Sequence, residues 1–328
     1  EVIEGMGHIT PLDAENLGEL FARYDVGEPR SCRAASLGIE NSNYFVTTAR
    51  SGSESDWVLT LLEQPSYSGA GYVPLLDLCH AAGLPVAPVV RTAAGETAET
   101  WLGKQAMLAP KLAGAHVDVP TPGHLETLGR LIADFHAATA NPAFEVAPYP
   151  RDQRWLKDRA ASTRGRMAYT DERLVFDCVD RVNSMLDRRD VGELPSGIVH
   201  GDLFRDNVLF DGLELTGVLD FHHAARGYLV YDLAVAANDW CNRPGGALDP
   251  ERTAALVTAY HGIRPLTILE KGFFPGFLLY AALAFWLSRL VVALKTDAGS
   301  TARFKDPDEF KAIAADRNAH FFQIDFLD

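Results

Sequence analysis

Residues 199–221 read VHGDLFRDNVLFDGLELTGVLDF. Val208 to Phe210 has strand character, Asp211-Gly212 is turn material, and Leu215 to Phe221 predicts a returning strand, so the stretch reads as a loop followed by a β-hairpin. Such a hairpin brings Asp220 back toward Asn207, with Asp202 approaching from the preceding loop.

These three side chains suit complementary tasks. An aspartate carboxylate orients an alcohol and accepts its proton, while an asparagine offers a neutral oxygen, and a second aspartate an anionic one, to magnesium that accompanies a phosphate chain. The spacing therefore assigns Asp202 to the acceptor hydroxyl and Asn207 plus Asp220 to the metal. The competing use of the same residues is local, the satisfaction of turns and buried backbone donors. Arg205, between Asp202 and Asn207, is placed to steady a moving phosphoryl charge or to pair structurally. His200 is expected to hydrogen-bond the loop, and the tandem His222-His223 lacks the ligand set that zinc requires.

Toward the N-terminus the pattern becomes sheet-rich. A helix is expected after Thr10-Pro11, capped by the threonine, with Leu12, Leu17, Leu20, Phe21 and Tyr24 on its apolar face. Within Leu37 to Thr48 a glycine-containing segment passes through IENSN into the strand-like YFVTT, further strands are expected over Trp57 to Leu62, Leu84 to Val90 and Ala106 to Lys111, and a helix over Tyr72 to Ala82. Beyond this the periodicity is helical: Leu125, Leu128, Leu131, Ile132 and Phe135 share one face, and helices are expected over 174–186, 253–260 and 278–294. The change of character places a small first lobe at 1–108 and a larger, helical one at 109–328.

Composition narrows the partners. The 328 residues are 47% hydrophobic and 23% charged, enough apolar material for one large or two moderate cores. The 44 acidic and 30 basic residues leave a net charge of −14, which argues against nucleic acid and anionic membranes as partners. The most apolar run, Phe273 to Leu294, contains Pro275, Gly276 and Arg289 and reads as a buried helix rather than a membrane span. Cys32, Cys79, Cys178 and Cys241 are far apart and suggest a reducing compartment, so a cytoplasmic location is expected, with no obligate protein partner implied.

HGDLFRDNVLF at 200–210 and GVLDFHHAARGYLVYDLA at 217–234 resemble the aminoglycoside-phosphotransferase-like kinase superfamily. GIENSNYFV at 38–46, WVLTLLE at 57–63, YDLAVAANDWC at 231–241 and FWLSRL at 285–290 extend a likeness to the bacterial homoserine kinases of that superfamily. The resemblance implies an α+β, protein-kinase-like bilobal fold with a small sheet-rich N-terminal lobe and a larger, predominantly helical C-terminal lobe. It makes Asp202 the catalytic-loop aspartate and Asn207 and Asp220 the Mg2+ ligands. It also implies transfer of the terminal phosphate of ATP to the hydroxyl of L-homoserine, giving O-phospho-L-homoserine on the route to threonine. An aminoglycoside or choline-like kinase, or a nonenzymatic nucleotide-binding regulator, are the competing readings.

For the nucleotide, Gly38 allows a close loop, and Ser42 and Asn43 orient that loop or donate to phosphate oxygens. Thr60 stands where a kinase would carry a phosphate-pairing lysine, and the 72–82 helix has no glutamate to partner one. For the acceptor, Asp239 is the candidate for the ammonium group and Arg289 for the carboxylate, a structural salt bridge being the other use of either. Asp232 is expected to fix the loop through backbone hydrogen bonds, and Trp240 to shape the acceptor pocket or pack the core.

Overall fold

The computed structural model describes residues 10–35, 41–63, 72–295 and 305–327; Gly38 lies outside them. The chain separates into two compact units, a sheet-rich one within Glu1–Ala113 joined by Gly217–His222, and a larger helical one within Gly114–Thr216, His223–Ser300 and Lys305–Asp328. The fold is α+β and protein-kinase-like, with a sheet-rich and a predominantly helical lobe.

The first unit is a five-stranded antiparallel sheet in the order β1-β2-β3-β5-β4, from β1 (Glu28–Ala34), β2 (Ser42–Arg50), β3 (Ser53–Leu62), β4 (Glu99–Trp101) and β5 (Lys104–Pro110). Burial alternates strictly along β2, so Tyr44 and Val46 turn to one face together with Leu59, Leu61, Ala106 and Leu108. Helix α1 (Ala14–Phe21) covers that face with Leu17, Leu20 and Phe21. Each such side chain contributes about 1.5–3 kcal/mol by leaving water. Helix α2 (Val73–Ala81) buries Val73, Leu75, Leu76 and Cys79.

Three local expectations need correction, and one strand was not foreseen. Asp13, not Thr10, caps α1, its carboxylate accepting from Asn16 N–H, while Thr10 bonds to Ser42 and Glu63. Residues 84–90 form no strand, because Pro85 and Pro88 each remove a ladder donor. The strand β1 was not expected: almost wholly exposed, it carries Pro29 and three charged residues and has no apolar alternation, the composition of a protected edge. The returning strand of the hairpin stops at Val218 rather than Phe221, because Asp220 has φ +68°, which no strand tolerates.

In the second unit α3 (Pro122–Ala138) packs along α7 (Pro250–Ile263), so closely that a Cβ on Gly129 would lie 2.3 Å from the carbonyl oxygen of Leu256. Between them in sequence come α4 (Gln153–Ser162), α5 (Tyr169–Leu186), β6 (Ser196–Val199), β7 (Val208–Asp211), β8 (Glu214–Val218), β9 (Ala225–Tyr228) and α6 (Val230–Trp240). β6 pairs with β9, and β7 with β8. Helix α8 (Ile268–Lys295) is the one described helix long and apolar enough to cross a membrane, with a mean hydropathy of 2.0, but 72% of that window is buried inside the protein. It packs on α5, α6 and α9 (Pro307–Ala319), so most of its apolar residues are core residues. The four cysteines are free thiols, Cys32 exposed and the others buried.

Candidate active site

The loop at 200–207 is held by its backbone. Strand β6 delivers the chain to His200, and the N–H groups of His200 and Gly201 both donate to the Asp232 carboxylate at 2.8 Å. Asp232, fully buried in the first turn of α6, is also bonded to His136 Nε2 at 3.1 Å, and His136 Nδ1 to the Tyr260 hydroxyl at 2.8 Å. An isolated carboxylate at that depth would cost several kcal/mol; three hydrogen bonds offset the loss of water. Gly201 turns the chain with φ +78°, and its missing side chain is required, since a Cβ would press on His223 O and the Tyr149 ring at 3.3 Å.

Asp202 and Asn207 come together within this loop. A short 3-10 turn, Arg205–Asn207, aims the asparagine back, and its Nδ2 donates to both the backbone oxygen and Oδ2 of Asp202 at 2.8 Å. The amide nitrogen is thereby spent, so the oxygen is the atom of this buried side chain that suits a cation. Arg205 binds Asp239 three ways, through its backbone N–H at 2.7 Å, Nε at 3.2 Å and Nη2 at 3.4 Å, and donates to Asp118 O at 3.1 Å. Burial pushes the Asp239 carboxyl above its ordinary range, although Arg205 pulls the other way. Arg289 lies on α8, where it donates to Glu309 at 2.7 Å and to Asp306 O at 3.2 Å and stacks on Phe310. Trp240 is fully buried, its indole N–H donating to Leu203 O at 3.0 Å.

The remaining predicted site residues belong to the first unit. Asp220 keeps a left-handed backbone and is bonded to His222 Nδ1. For a residue other than glycine that conformation costs about 1–3 kcal/mol, and it persists where the surroundings dictate it. Burial drives the Tyr72 hydroxyl upward, and the charge of Asp220 adds to the push. Ser42 is buried on the α1 face, its hydroxyl contacting Glu63 and accepting from Thr10 N–H at 3.0 Å. Asn43 points to the opposite face, its amide oxygen accepting from Thr60 at 2.7 Å. Lys104 pairs with Glu63 on the Ser42 face, not on that of Thr60. Burial works to raise the Glu63 carboxyl, yet hydrogen bonds from Lys104, Ser42 and Thr10 bring it below its ordinary range.

The donor chemistry fits a hard cation such as Mg2+, which takes one or two protein oxygens and leaves its other positions to phosphate and water. Among the described residues no three His, Cys, Asp or Glu side chains group as a metal set, and the oxygens expected from the sequence are those of Asn207 and Asp220. Sequence reasoning missed His136, whose only signal is an apolar-face histidine on α3, and Tyr149, which lies in a stretch without periodicity.

A model of the phosphotransferase enzyme family matches residues 31–266. The homoserine kinase of Pseudomonas aeruginosa is 39% identical over 313 residues, covering 95% of this chain and 96% of its own length. That of Methylobacillus flagellatus is 36% identical over 309 residues, covering 94% of each. Among solved structures, a microcompartment-associated aminopropanol kinase superposes with a TM-score of 0.70 at 20% identity, over 94% of this chain and 96% of its own. At that identity the likeness speaks for the fold alone.

Proposed function

Because the chain belongs to the phosphotransferase enzyme family, we propose that it is a homoserine kinase, transferring the γ-phosphoryl group of ATP to the hydroxyl of L-homoserine to give O-phospho-L-homoserine and ADP. The observation that carries this reading is identity of 39% to a homoserine kinase across 95% of the chain. Nothing smaller than full-length likeness selects the acceptor, because the Asp202–Asn207 pair serves any alcohol.

Asp202 orients the acceptor hydroxyl and takes its proton, a role the bond from Asn207 supports by fixing the carboxylate. Asn207 and Asp220 hold Mg2+ through oxygen; when bound, the ion neutralises phosphate charge and orients the transferring group. Arg205, anchored by Asp239, lends positive charge to the phosphoryl group in flight. Gly38, Ser42 and Asn43 serve the nucleotide, Asn43 by donation and Ser42 by shaping the strand through Glu63. Asp239 and Arg289 are candidates for the acceptor's ammonium and carboxylate; each is already paired, with Arg205 and Glu309, and meets substrate only in competition with that partner. The reading takes residues 1–108 as the nucleotide lobe, 109–328 as the catalytic and acceptor lobe, and the cytoplasm as the location.

The test is an acceptor panel of L-homoserine, L-threonine, L-serine, choline and an aminoglycoside, with ATP and magnesium and direct detection of the product. Selective O-phosphohomoserine is expected. Robust phosphorylation of another acceptor with none of homoserine would overturn the assignment, and ATP binding without transfer would favour a regulator.

A further inference from the structure

A chain of hydrogen bonds runs from the turn between α7 and α8 to the catalytic loop, entirely within the second unit. Arg264 closes α7, and its Nη1 donates to Glu270 at 2.8 Å and to the Tyr260 hydroxyl at 2.9 Å. Glu270 is fully buried in the first turn of α8, where it forms a capping box with Thr267: its N–H donates to the threonine hydroxyl at 3.1 Å, and its carboxylate accepts from Thr267 N–H at 2.9 Å. The Tyr260 hydroxyl meets His136 Nδ1 at 2.8 Å, and His136 Nε2 meets Asp232 at 3.1 Å. Asp232 holds the N–H groups of His200 and Gly201 at 2.8 Å, and His200 Nδ1 accepts from the N–H of Asp202 at 3.3 Å.

The chemistry of the two ends gives this chain a direction. A guanidinium only donates and a carboxylate only accepts. In the arrangement that makes every bond, Nε2 therefore carries the hydrogen facing Asp232, Nδ1 accepts, and the Tyr260 hydroxyl donates to Nδ1 while accepting from Arg264. Burial pushes the Tyr260 phenol upward, with Arg264 working against the push and Glu270 with it, so the hydrogen stays on the oxygen. Tyr260, His136 and Asp232 are all buried, and hydrogen bonds in such a low-dielectric interior hold firmly.

We propose that Tyr260 and His136 are positioning residues for phosphoryl transfer, setting the orientation of Asp202 through the Asp232 carboxylate; this rests on the reading of Asp202 as the group that takes the acceptor's proton. Asp232 Oδ1 accepts from Gly201 N–H, whereas Oδ2 accepts from both His200 N–H and His136 Nε2. Two of these three donors belong to the loop and turn with it. Among the described residues His136, on α3, is the one donor to this carboxylate that does not, so it fixes the carboxylate's rotation and with it the direction of both loop N–H groups. Tyr260 fixes His136 in the same way, because a ring whose Nδ1 accepts is held in one tautomer with its hydrogen toward Asp232. The chemistry is sensitive to such placement: a shift of about 1 Å at a reacting group costs about 10²-fold in rate. Were the same bonds only a tie between α3 and α7, their loss would lower stability and leave turnover alone.

The experiment follows L-homoserine phosphorylation by the full chain with ATP and magnesium, with a thermal melt of each variant. Tyr260→Phe keeps the ring and removes only the hydroxyl; it is expected to lower kcat about tenfold while the KM for homoserine and for ATP stay within about twofold. His136→Leu should lower kcat about 30-fold, and His136→Gln, whose amide N–H replaces Nε2 as the donor to Asp232, should restore it to within about threefold of wild type. Because Tyr260 acts through His136, adding Tyr260→Phe to His136→Gln should change kcat by less than about twofold. Where one of these variants does not fold, the remaining comparison decides: rescue by glutamine, or the loss of the Tyr260→Phe effect in the glutamine background. Wild-type kcat in Tyr260→Phe, whatever its melting temperature, overturns the proposal. So does a glutamine variant no better than the leucine one, or a Tyr260→Phe effect that persists undiminished beside glutamine. A wild-type chain inactive on homoserine instead overturns the function assignment on which the proposal rests.

Discussion

Two of the polar clusters among the described residues, one in each unit, are assembled in opposite ways. In the second unit Asp202 and Asn207 come from eight consecutive residues, 200–207, and the frame that holds them is backbone: two N–H groups gripping Asp232 and a left-handed glycine. In the first unit Thr10, Ser42, Glu63 and Lys104 arrive from four separated positions and satisfy one another by charge and hydroxyl contacts. The first arrangement is held chiefly through backbone groups, the second through the side chains themselves. A site and a structural lock can thus have similar composition, and they are told apart by what pays for the order.

The comparison is broken most forcefully at Asp202. Asp202→Asn keeps an oxygen for Asn207 and the shape of the loop, so folding should be intact and the KM for ATP within a few-fold. Turnover should drop by about 10²–10⁴, the usual contribution of a positioned base. A stopped-time assay of O-phosphohomoserine with a thermal melt alongside checks both halves, and near-normal turnover would remove Asp202 from the chemistry. The lock in the first unit admits no such separation, because altering it changes stability first.

The same contrast explains what could be read in advance. The closeness of Asp202 and Asn207 was legible from spacing, since they are five positions apart and the contact is local. Strands β2, β3 and β5 were legible from apolar alternation, and α3 and α8 from helical periodicity. The edge strands β1 and β4 were not, because an exposed edge carries no alternation to read. His136 and Tyr149 were invisible for a different reason: their partners, Asp232 and Tyr231, lie 82 or more positions away, and only packing joins them. The division of Ser42 from Asn43 is a consequence of the pleat, which sends adjacent residues to opposite faces.

A pH series sharpens the comparison at intermediate scale. The Glu63 carboxyl lies below its ordinary range when folded, so it binds a proton less readily than in the unfolded chain. The stability it confers is complete above the ordinary glutamate range and is lost as pH falls through the lowered folded value, below which both states are protonated. Lys104→Met removes the strongest of the groups holding it down and should cost roughly 1–3 kcal/mol at about pH 7 in urea unfolding. At about pH 2, below the ordinary carboxylate range, the gap to wild type should narrow as the Glu63 carboxylate takes up its proton. An equal gap at both pH values would show that Lys104 contributes packing rather than charge.

The smallest effects test the pleat itself. Ser42 and Asn43 are neighbours in sequence, yet the first faces Glu63 under α1 and the second faces Thr60 on the other side of the sheet. Ser42→Ala should therefore cost about 1 kcal/mol of stability, the net worth of one hydrogen bond, and leave the KM for ATP within about twofold. Asn43→Ala should do the reverse. The bond it gives up to Thr60 is partly exposed and worth little, whereas a lost donor to phosphate should raise the KM for ATP by roughly tenfold. Paired measurements of melting and ATP kinetics separate the two. If both variants lose stability alike and neither changes the KM for ATP, the nucleotide does not use this strand, and the polar residues on both faces belong to the lock.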